Sequence, residues 1–329
     1  MTRVGIIGAG LIGEKRAAHL AGATLTAVAD IDTKRAERLA EKHGAQIEAD
    51  WQTLVQRPDV DVVLVCTTNN ALSPCTMAAL QAGKHVLVEK PAGCSPTDIL
   101  TLIQTSDRAG RLLRVGYNHR FHPAFQKAKQ LIQNGQIGPL MYIRARYGHG
   151  GRLGYDREWR ADPKLSGGGE LLDQGVHLID LCRWLGGEFD LEWGKTKTFF
   201  WKMPVEDNGF LALKSPDGRR SAWLHASCTE WKNLFDFEIF GETGKLQIWG
   251  LGRSYGVEEL RIFRMKPEMG PPDIEVISFP GEDTSWENEF RAFLSELGGH
   301  PTDLATPADA LKAMEIVHAC YEQSSPCNA

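Results

Sequence analysis

A short apolar run, Val4-Gly5-Ile6-Ile7, passes directly into Gly8-Ala9-Gly10-Leu11-Ile12-Gly13, and residues 12–20 beyond it are rich in Ala, Glu, Lys and Arg. Strand, G-x-G-x-x-G and helix in that order form the dinucleotide-binding fingerprint; the glycines without their flanks would be a weak signal. Gly8 permits the tight turn, Gly10 lets the backbone approach a pyrophosphate, and Gly13 lets the helix pack closely on the strand. The helix N-terminus, with Leu11 and Ile12 in its first turn, offers free N–H groups to the phosphates. A second strand, 25–29, ends in Asp30, 17 residues past Gly13, near the distance expected of the carboxylate that binds the adenosine ribose. Asp32 adds a second negative charge that would repel a 2′-phosphate. NAD is therefore favoured over NADP, with Lys34 and Arg35 as the cations that argue the other way. The competing role for Asp30 is the N-cap of the next helix, 33–42.

The alternation continues. Residues 60–66 are a strongly apolar strand, followed by the polar turn Thr67-Thr68-Asn69-Asn70, well placed to touch cofactor. A helix over 74–82 leads to the strand Val86-Leu87-Val88, which runs into Glu89-Lys90-Pro91; a helix over 96–109 and a strand over 112–115 follow. These strand signals with intervening helices predict a doubly wound parallel sheet, whose ligands lie beyond the carboxyl ends of the strands. Glu89 and Lys90 fall there. Pro91 keeps Lys90 out of the helical region, so Lys90 is expected to be extended at the sheet rim. A lysine at a strand end is also commonly no more than solvated. The cluster Gly116-Tyr117-Asn118-His119-Arg120-Phe121, again on the carboxyl side, is either a structured loop or a wall of the ligand pocket.

Composition narrows the class. A chain of 329 residues with net charge −5 has room for two domains and lacks the basic footprint of a nucleic-acid binder. Seven scattered cysteines without a C-x-x-C pair indicate neither a zinc ribbon nor a disulfide framework, and reduced thiols in a cytoplasmic protein are expected. No apolar run approaches the ~18 residues of a membrane span. The apolar stretch at 1–13 is short, broken by glycines and followed by Glu14-Lys15-Arg16, so it is not read as an export signal.

Beyond residue 121 the chain reads as a helix over 122–133, a strand over 138–147, then a glycine-rich aromatic segment over 148–169. Such a long loop is usually functional; it is expected to be a flap with Tyr155, Trp159 and Arg160 as substrate binders, or else a surface excursion or oligomer contact. A helix over 170–185 follows, with Asp173 and His177 four apart and therefore on one face. The carboxylate can orient the imidazole, Asp180 is either structural or a support behind the reacting groups, and no third ligand marks a metal site. Residues 191–277 read as strands, at 196–201, 209–214, 221–229, 235–241 and 244–249 among others, with Phe199, Trp201, Trp223, Trp231 and Trp249 on one face. That face packs on the domain's own helices or forms a subunit interface. Helices over 286–297 and 307–322 precede a tail, 324–329, expected to fray.

Gly8-x-Gly10-x-x-Gly13, Ala82-Gly83-Lys84-His85-Val86 leading into Glu89-Lys90-Pro91, Gly116-Tyr117-Asn118-His119-Arg120-Phe121, Ser166-Gly167-Gly168-Gly169 and Asp173-x-Gly175-x-His177-x-x-Asp180 together make the chain resemble the Gfo/Idh/MocA family of oxidoreductases. It departs from that pattern at Thr67-Thr68-Asn69-Asn70-Ala71-Leu72, where the family often has Thr-Pro-x-x-x-His. The resemblance implies an α/β chain: a Rossmann doubly wound parallel sheet in 1–121, and in 122–329 an α+β substrate-binding and oligomerisation domain with a large open, mostly antiparallel sheet. It implies a homodimer or homotetramer and an NAD(P)-dependent dehydrogenase acting on the secondary alcohol of a small carbohydrate. His177 is the expected base, with Lys90 stabilising charge on the same oxygen; these roles are exchangeable, and Asp173 orients His177 or holds a neighbouring hydroxyl. Gly8, Gly10, Leu11, Ile12, Gly13, Asp30, Thr67, Thr68, Asn69, Glu89, Lys90 and Asn118 would hold the cofactor. Lys90, Arg120, Tyr155, Trp159, Arg160, Asp173 and His177 would hold the substrate. The flap's aromatics and cation suit a nucleotide-linked sugar, and the run Ser166-Gly167-Gly168-Gly169-Glu170-Leu171-Leu172-Asp173-Gln174-Gly175-x-His177 is similar to that of family members in cell-surface polysaccharide and amino-sugar pathways, which implies a UDP-linked amino sugar oxidised at a ring hydroxyl such as C3, with a free sugar or inositol as the alternative and a non-catalytic NAD-binding regulator as the alternative of another class.

Overall fold

The computed structural model describes residues 1–324; most of the tail expected to fray, and Cys327 with it, lies outside the described residues. The chain forms two compact units, each from discontinuous stretches. The first takes Met1–Asn118, Lys164–Gly167 and Trp286–Lys312; the second takes His119–Pro163, Gly168–Ser285 and the chain from Ala313 onward. A contiguous division at residue 121 has no such returns.

The first unit begins β1 (Arg3–Ile7), α1 (Leu11–Ala18), β2 (Thr24–Ala29), α2 (Thr33–His43), β3 (Gln46–Ile47), α3 (Trp51–Gln56), β4 (Val62–Val65), α4 (Asn69–Gln81), β5 (His85–Glu89), α5 (Pro96–Ala109) and β6 (Leu113–Gly116). The strands lie in the order β3-β2-β1-β4-β5-β6 and every pair is parallel. Val4, Ile6, Val28, Val62, Val65, Val86 and Val88 have no exposed surface. That is why these strands read as continuous apolar runs: a sheet covered on both faces has no solvent side to alternate with. The order reverses between β1 and β4, and the Gly8 loop leaves β1 at that point. Helix α4 starts five residues before the predicted helix. Thr68 is its N-cap, Asn69 and Asn70 form its first turn, and Pro74 lies inside it. Proline is favoured at the first helical position, which made Pro74 look like a start.

The second unit opens with the 3₁₀ turn Asn118–Phe121 at its border, then α6 (Pro123–Gln133) and β7 (Leu140–Gly148). Two 3₁₀ turns (Tyr155–Arg157 and Trp159–Ala161), the short α7 (Pro163–Ser166) and a π-helical turn (Leu171–Gly175) precede α8 (Val176–Gly186). Seven strands follow: β8 (Asp190–Lys197), β9 (Asn208–Lys214), β10 (Ser221–Ser227), β11 (Leu234–Gly241), β12 (Gly244–Trp249), β13 (Glu258–Arg264) and β14 (Asp273–Phe279). The chain closes with α9 (Ser285–Leu297) and α10 (Pro307–Ser324). The sheet order is β14-β13-β12-β11-β7-β10-β9-β8; β7 pairs parallel with β10, and all other pairs are antiparallel. The first strand of the unit is thus central, with one meander on each side. Its inner face, including Ile143, Ala145, Leu224, Phe237 and Ile239, is buried, with α6 and α8 packed against the sheet. The other face exposes Trp193 and Trp223.

Three predictions are corrected here. The strand expected over 196–201 stops at Lys197, because the Asp207 carboxylate accepts the amides of Phe199, Phe200 and Trp201 at 2.9, 2.8 and 3.0 Å and folds them into a turn. Of the five aromatics assigned to one sheet face, only Trp223 and Trp249 lie on strands. The helix expected over 170–185 begins with the π turn. Glu206 accepts the amides of Gly169 and Leu171 at 3.0 and 3.1 Å and a hydroxyl proton from Tyr321 at 2.8 Å, fixing the start of that turn.

Candidate functional site

In the first unit, sequence dictates a phosphate-binding cradle. A Cβ on Gly8, whose φ is +97°, would lie 2.5 Å from the Cys66 carbonyl oxygen, and one on Gly13 would lie 1.9 Å from that of Gly8. Both glycines are required by the fold. Gly10 differs: its Cβ would meet only Arg35 Nη1, at 3.8 Å, so space is open beside the start of α1. No side chain caps that helix, and its first amides remain available to an anion.

Asp30 closes the cradle at the end of β2. It accepts the Ala9 amide at 2.6 Å and the Asp32 amide at 2.7 Å. Asp32, not Asp30, caps α2, taking the Lys34 amide at 3.1 Å, and it holds Arg35 Nε at 3.3 Å. Of the two cations that could have attracted a 2′-phosphate, Arg35 is thus turned to a carboxylate. Leu11 is 71% exposed and Ile31 is fully exposed, leaving apolar surface beside the cradle for a flat base to cover. These residues fit a dinucleotide. Thr68 Oγ1 bonds Asn70 Oδ1 at 2.8 Å, while buried Asn69 donates to the Ser166 carbonyl at 2.8 Å.

At the end of β5 the Lys90–Pro91 bond is cis, and the Ala92 amide returns to the Glu89 carbonyl at 3.0 Å. Lys90 sits in the turn that closes on Glu89 at the end of the strand. Glu89 was expected at the cofactor, but its buried carboxylate faces Arg16, at 2.7 Å from Nε and 2.6 Å from Nη2. Arg16 also holds Glu289 at 2.5 Å and lies over the Trp286 ring at 4.6 Å. Burial works against the Arg16 charge, but Glu289 and Glu89 outweigh it and push its pKa up. A Cβ on Gly116 would meet Arg16 Nη2 at 2.5 Å, so this glycine makes room for the pair. Asn118 is buried beside the end of β6. Burial pushes the Cys66 thiol far up, out of the range of a thiolate nucleophile.

In the second unit, His177 is 4% exposed and its ring stacks on that of His119, centroids 3.8 Å apart and planes 15° from parallel. His119 Nε2 lies 3.2 Å from Tyr147 Oη, and the Tyr147 ring is 5.1 Å from that of Tyr255. Asp173 accepts Arg160 Nε at 2.9 Å, and the Asp173 charge holds the Arg160 pKa up. Trp159 lies against Arg160 at 4.6 Å. Tyr155 donates to Glu170 Oε2 at 3.4 Å, and His149 Nε2 is 3.5 Å from Glu170 Oε1. The Gly151 amide donates to His149 Nδ1 at 2.9 Å; burial lowers the His149 pKa. Burial also raises the phenols Tyr147 and Tyr155, and pushes Tyr255 up to about 12. All three keep their protons at neutral pH and can donate. Phenol donors, a carboxylate–guanidinium pair and an imidazole make a wall suited to several hydroxyl groups rather than to one charge.

Arg120, expected at the substrate, is gripped by Asp180, with Nε–Oδ2 at 2.8 Å, where burial leaves both side chains almost no solvent. Asp180 is therefore a structural partner, one of the two roles expected of it. Tyr147 ends the alternating series Met141, Ile143, Ala145, Tyr147, and that inward periodicity at a strand's end was the signal for it. His119 lay within a motif already noted; Tyr255 had no signal. Among the described residues, no group of three or more His, Cys, Asp or Glu could hold a metal ion, and no helix is long and apolar enough to cross a membrane.

Residues 2–117 match the family model described as oxidoreductase family, NAD-binding Rossmann fold, and residues 125–247 match the GFO/IDH/MocA C-terminal domain. The chain is 33% identical over 192 residues to inositol 2-dehydrogenase 4 of Saccharopolyspora erythraea, covering 56% of this chain and 54% of that protein. It is also 33% identical over 192 residues to D-glucoside 3-dehydrogenase of Escherichia coli, with the same shares of each. The chain thus spans about half the length of these curated relatives. Levoglucosan dehydrogenase in complex with NADH and levoglucosan superposes with a TM-score of 0.86 at 21% identity, over 98% of both chains; this likeness concerns the fold.

Proposed function

Because the chain belongs to the Gfo/Idh/MocA family of oxidoreductases, with that family's NAD-binding Rossmann domain at its N-terminus, we propose that it is an NAD-dependent dehydrogenase of a sugar or cyclitol ring hydroxyl. The observation that carries the reading is the buried polar cluster around His177, where Tyr147, Tyr155, Tyr255, Asp173 and Arg160 offer donors and acceptors to a polyol. Bound NAD supplies the hydride acceptor. Oxidation of a carbinol removes a hydride from carbon and a proton from oxygen, and leaves a ketone. His177 takes that proton. Lys90, in the first unit, is the ammonium that stabilises negative charge developing in the reaction. His119 holds the His177 ring in its plane, and the Asp173–Arg160 pair orients neighbouring hydroxyls.

The relatives' names, inositol 2-dehydrogenase and D-glucoside 3-dehydrogenase, support a free cyclitol or a glycoside. A UDP-linked amino sugar oxidised at C3 is the other substrate reading, in which the flap cation Arg160 is shared with Asp173. The Asp32–Arg35 pair supports NAD over NADP. The test is reduced-cofactor formation from NAD and NADP against inositols, free aldoses, glucosides and UDP-sugars. Turnover of inositols or glucosides with NAD is expected. Turnover confined to UDP-sugars would replace the substrate reading, and NAD binding without turnover of any hydroxyl compound would sink the dehydrogenase reading.

A further inference from the structure

Away from the reacting groups, the second unit exposes aromatic side chains that the reaction above does not use. Phe200 and Trp231 are 52% and 69% exposed. With Trp201 they form a stepped series: Trp231 to Phe200 at 4.8 Å and 84°, Phe200 to Trp201 at 5.2 Å and 86°, then Trp201 to Tyr155 at 5.5 Å and 51°. Tyr155 bonds Glu170, which directly precedes the π turn carrying Asp173. The series therefore runs without a gap from the candidate substrate residues out to solvent.

These rings are held in place. Asp207 fixes the backbone of residues 199–201 through three amides, and Trp201 Nε1 donates to the Cys228 carbonyl at 2.9 Å. Trp231 has φ +61°, a region bulky residues avoid and occupy only where the surroundings impose it. A Cβ on Gly150 would lie 2.9 Å from Trp231 backbone, and one on Gly151 would lie 2.4 Å from the Trp201 ring. Two glycines of the 148–151 run are thus required by the two tryptophans.

We propose that Trp201, Phe200 and Trp231 form a stacking subsite for a second sugar ring, so that the substrate is a glycoside carrying a further pyranose beyond the ring that is oxidised. This rests on the dehydrogenase reading and extends it. A pyranose presents C–H groups on its faces and hydroxyls at its rim. Its faces gain dispersion contact on aromatic carbon while its rim stays in water. Each ring-to-ring step is close to the width of one pyranose. The three rings Trp201, Phe200 and Trp231 stand nearly perpendicular to their neighbours in the set, giving a stepped surface that matches a puckered sugar; a flat nucleobase would need a parallel slot.

The experiment compares kcat/KM on methyl β-glucoside, cellobiose and UDP-glucose for the wild type, the Phe200→Ala/Trp231→Ala double variant and Trp231→Phe. The double variant is expected to lose about tenfold or more on cellobiose, about 1.4 kcal/mol in transition-state binding, and several-fold less on methyl glucoside. Trp231→Phe should recover most of that loss. Equal losses on both glucosides, a loss confined to UDP-glucose, or a changed mass by light scattering would overturn the subsite; the last would make the patch a contact between copies of the chain. If no sugar is turned over, the dehydrogenase reading fails and the subsite is judged by fluorescence. Quenching of wild-type tryptophan emission by cellobiose, lost in the double variant, supports it; absence of quenching overturns it.

Discussion

Lys90 and His119 each answer to a different substitution. Lys90→Met keeps length and removes the charged donor. Turnover should fall about 10²–10³-fold with NAD affinity, read by titration of cofactor fluorescence, near that of the wild type; near-normal turnover would refute the assignment. His119 is expected to act through His177. His119→Ala frees the stacked ring, and a misplacement on the order of 1 Å can cost about 10²-fold in kcat. His119→Phe keeps a flat ring at 3.8 Å stacking distance and should retain most activity with an unchanged pH–rate profile. If both variants lose activity equally, the stack is not what matters. At this scale the sequence was partly legible. Asp30, Asp32, Lys90 and His177 stood in recognisable motifs. Glu89 and Arg120 were expected at ligands but hold Arg16 and Asp180, because a buried charge must be paired first and sequence does not name the partner.

Among the elements, the glycine loop separates fold from binding. Gly13→Ala would drive a methyl to within 1.9 Å of the Gly8 carbonyl oxygen and should prevent folding, seen as loss of soluble protein or of a cooperative melt. Gly10→Ala meets only Arg35 at 3.8 Å. Its melting temperature without cofactor should match the wild type, while its KM for NAD rises. Equal KM values would show that pyrophosphate does not approach this residue. Two of the elements misjudged from sequence share a cause. The turn at 199–201 and the π turn at 171–175 are each set by a carboxylate, Asp207 or Glu206, that accepts backbone amides from another segment. Local propensity carries no trace of such a cap.

For the whole molecule, burial holds His43, His85, His149 and His225 below their ordinary 6.5. The unfolded chain therefore binds more protons as pH falls through that value, so stability is full above it and declines below. Glu206, raised above 4.5 by burial, acts in the opposite sense only as pH approaches its own range. The melting temperature should drop between about pH 7.5 and about pH 5.5; a flat profile would contradict this. The open face of the second sheet, where Trp193 and Trp223 are 49% and 58% exposed, is expected to join two copies of the chain. Trp223→Arg should then lower the mass measured by light scattering, and a monomeric wild type would end that expectation.

The sequence by itself determined the layered architecture. Apolar runs bounded by glycine and proline specify parallel strands, alternation specifies a sheet with one wet face, and G-x-G-x-x-G specifies the turn between β1 and α1, all through interactions within a few residues. Tertiary structure alone decided which charges meet. Arg16 takes Glu89 and Glu289 from 73 and 273 residues away, and Arg120 takes Asp180 from 60 away. It also brought His119 onto His177 and lined up Tyr155, Trp201, Phe200 and Trp231. Burial makes a partner necessary for each of these groups, but only the folded path of the chain supplies one at contact distance.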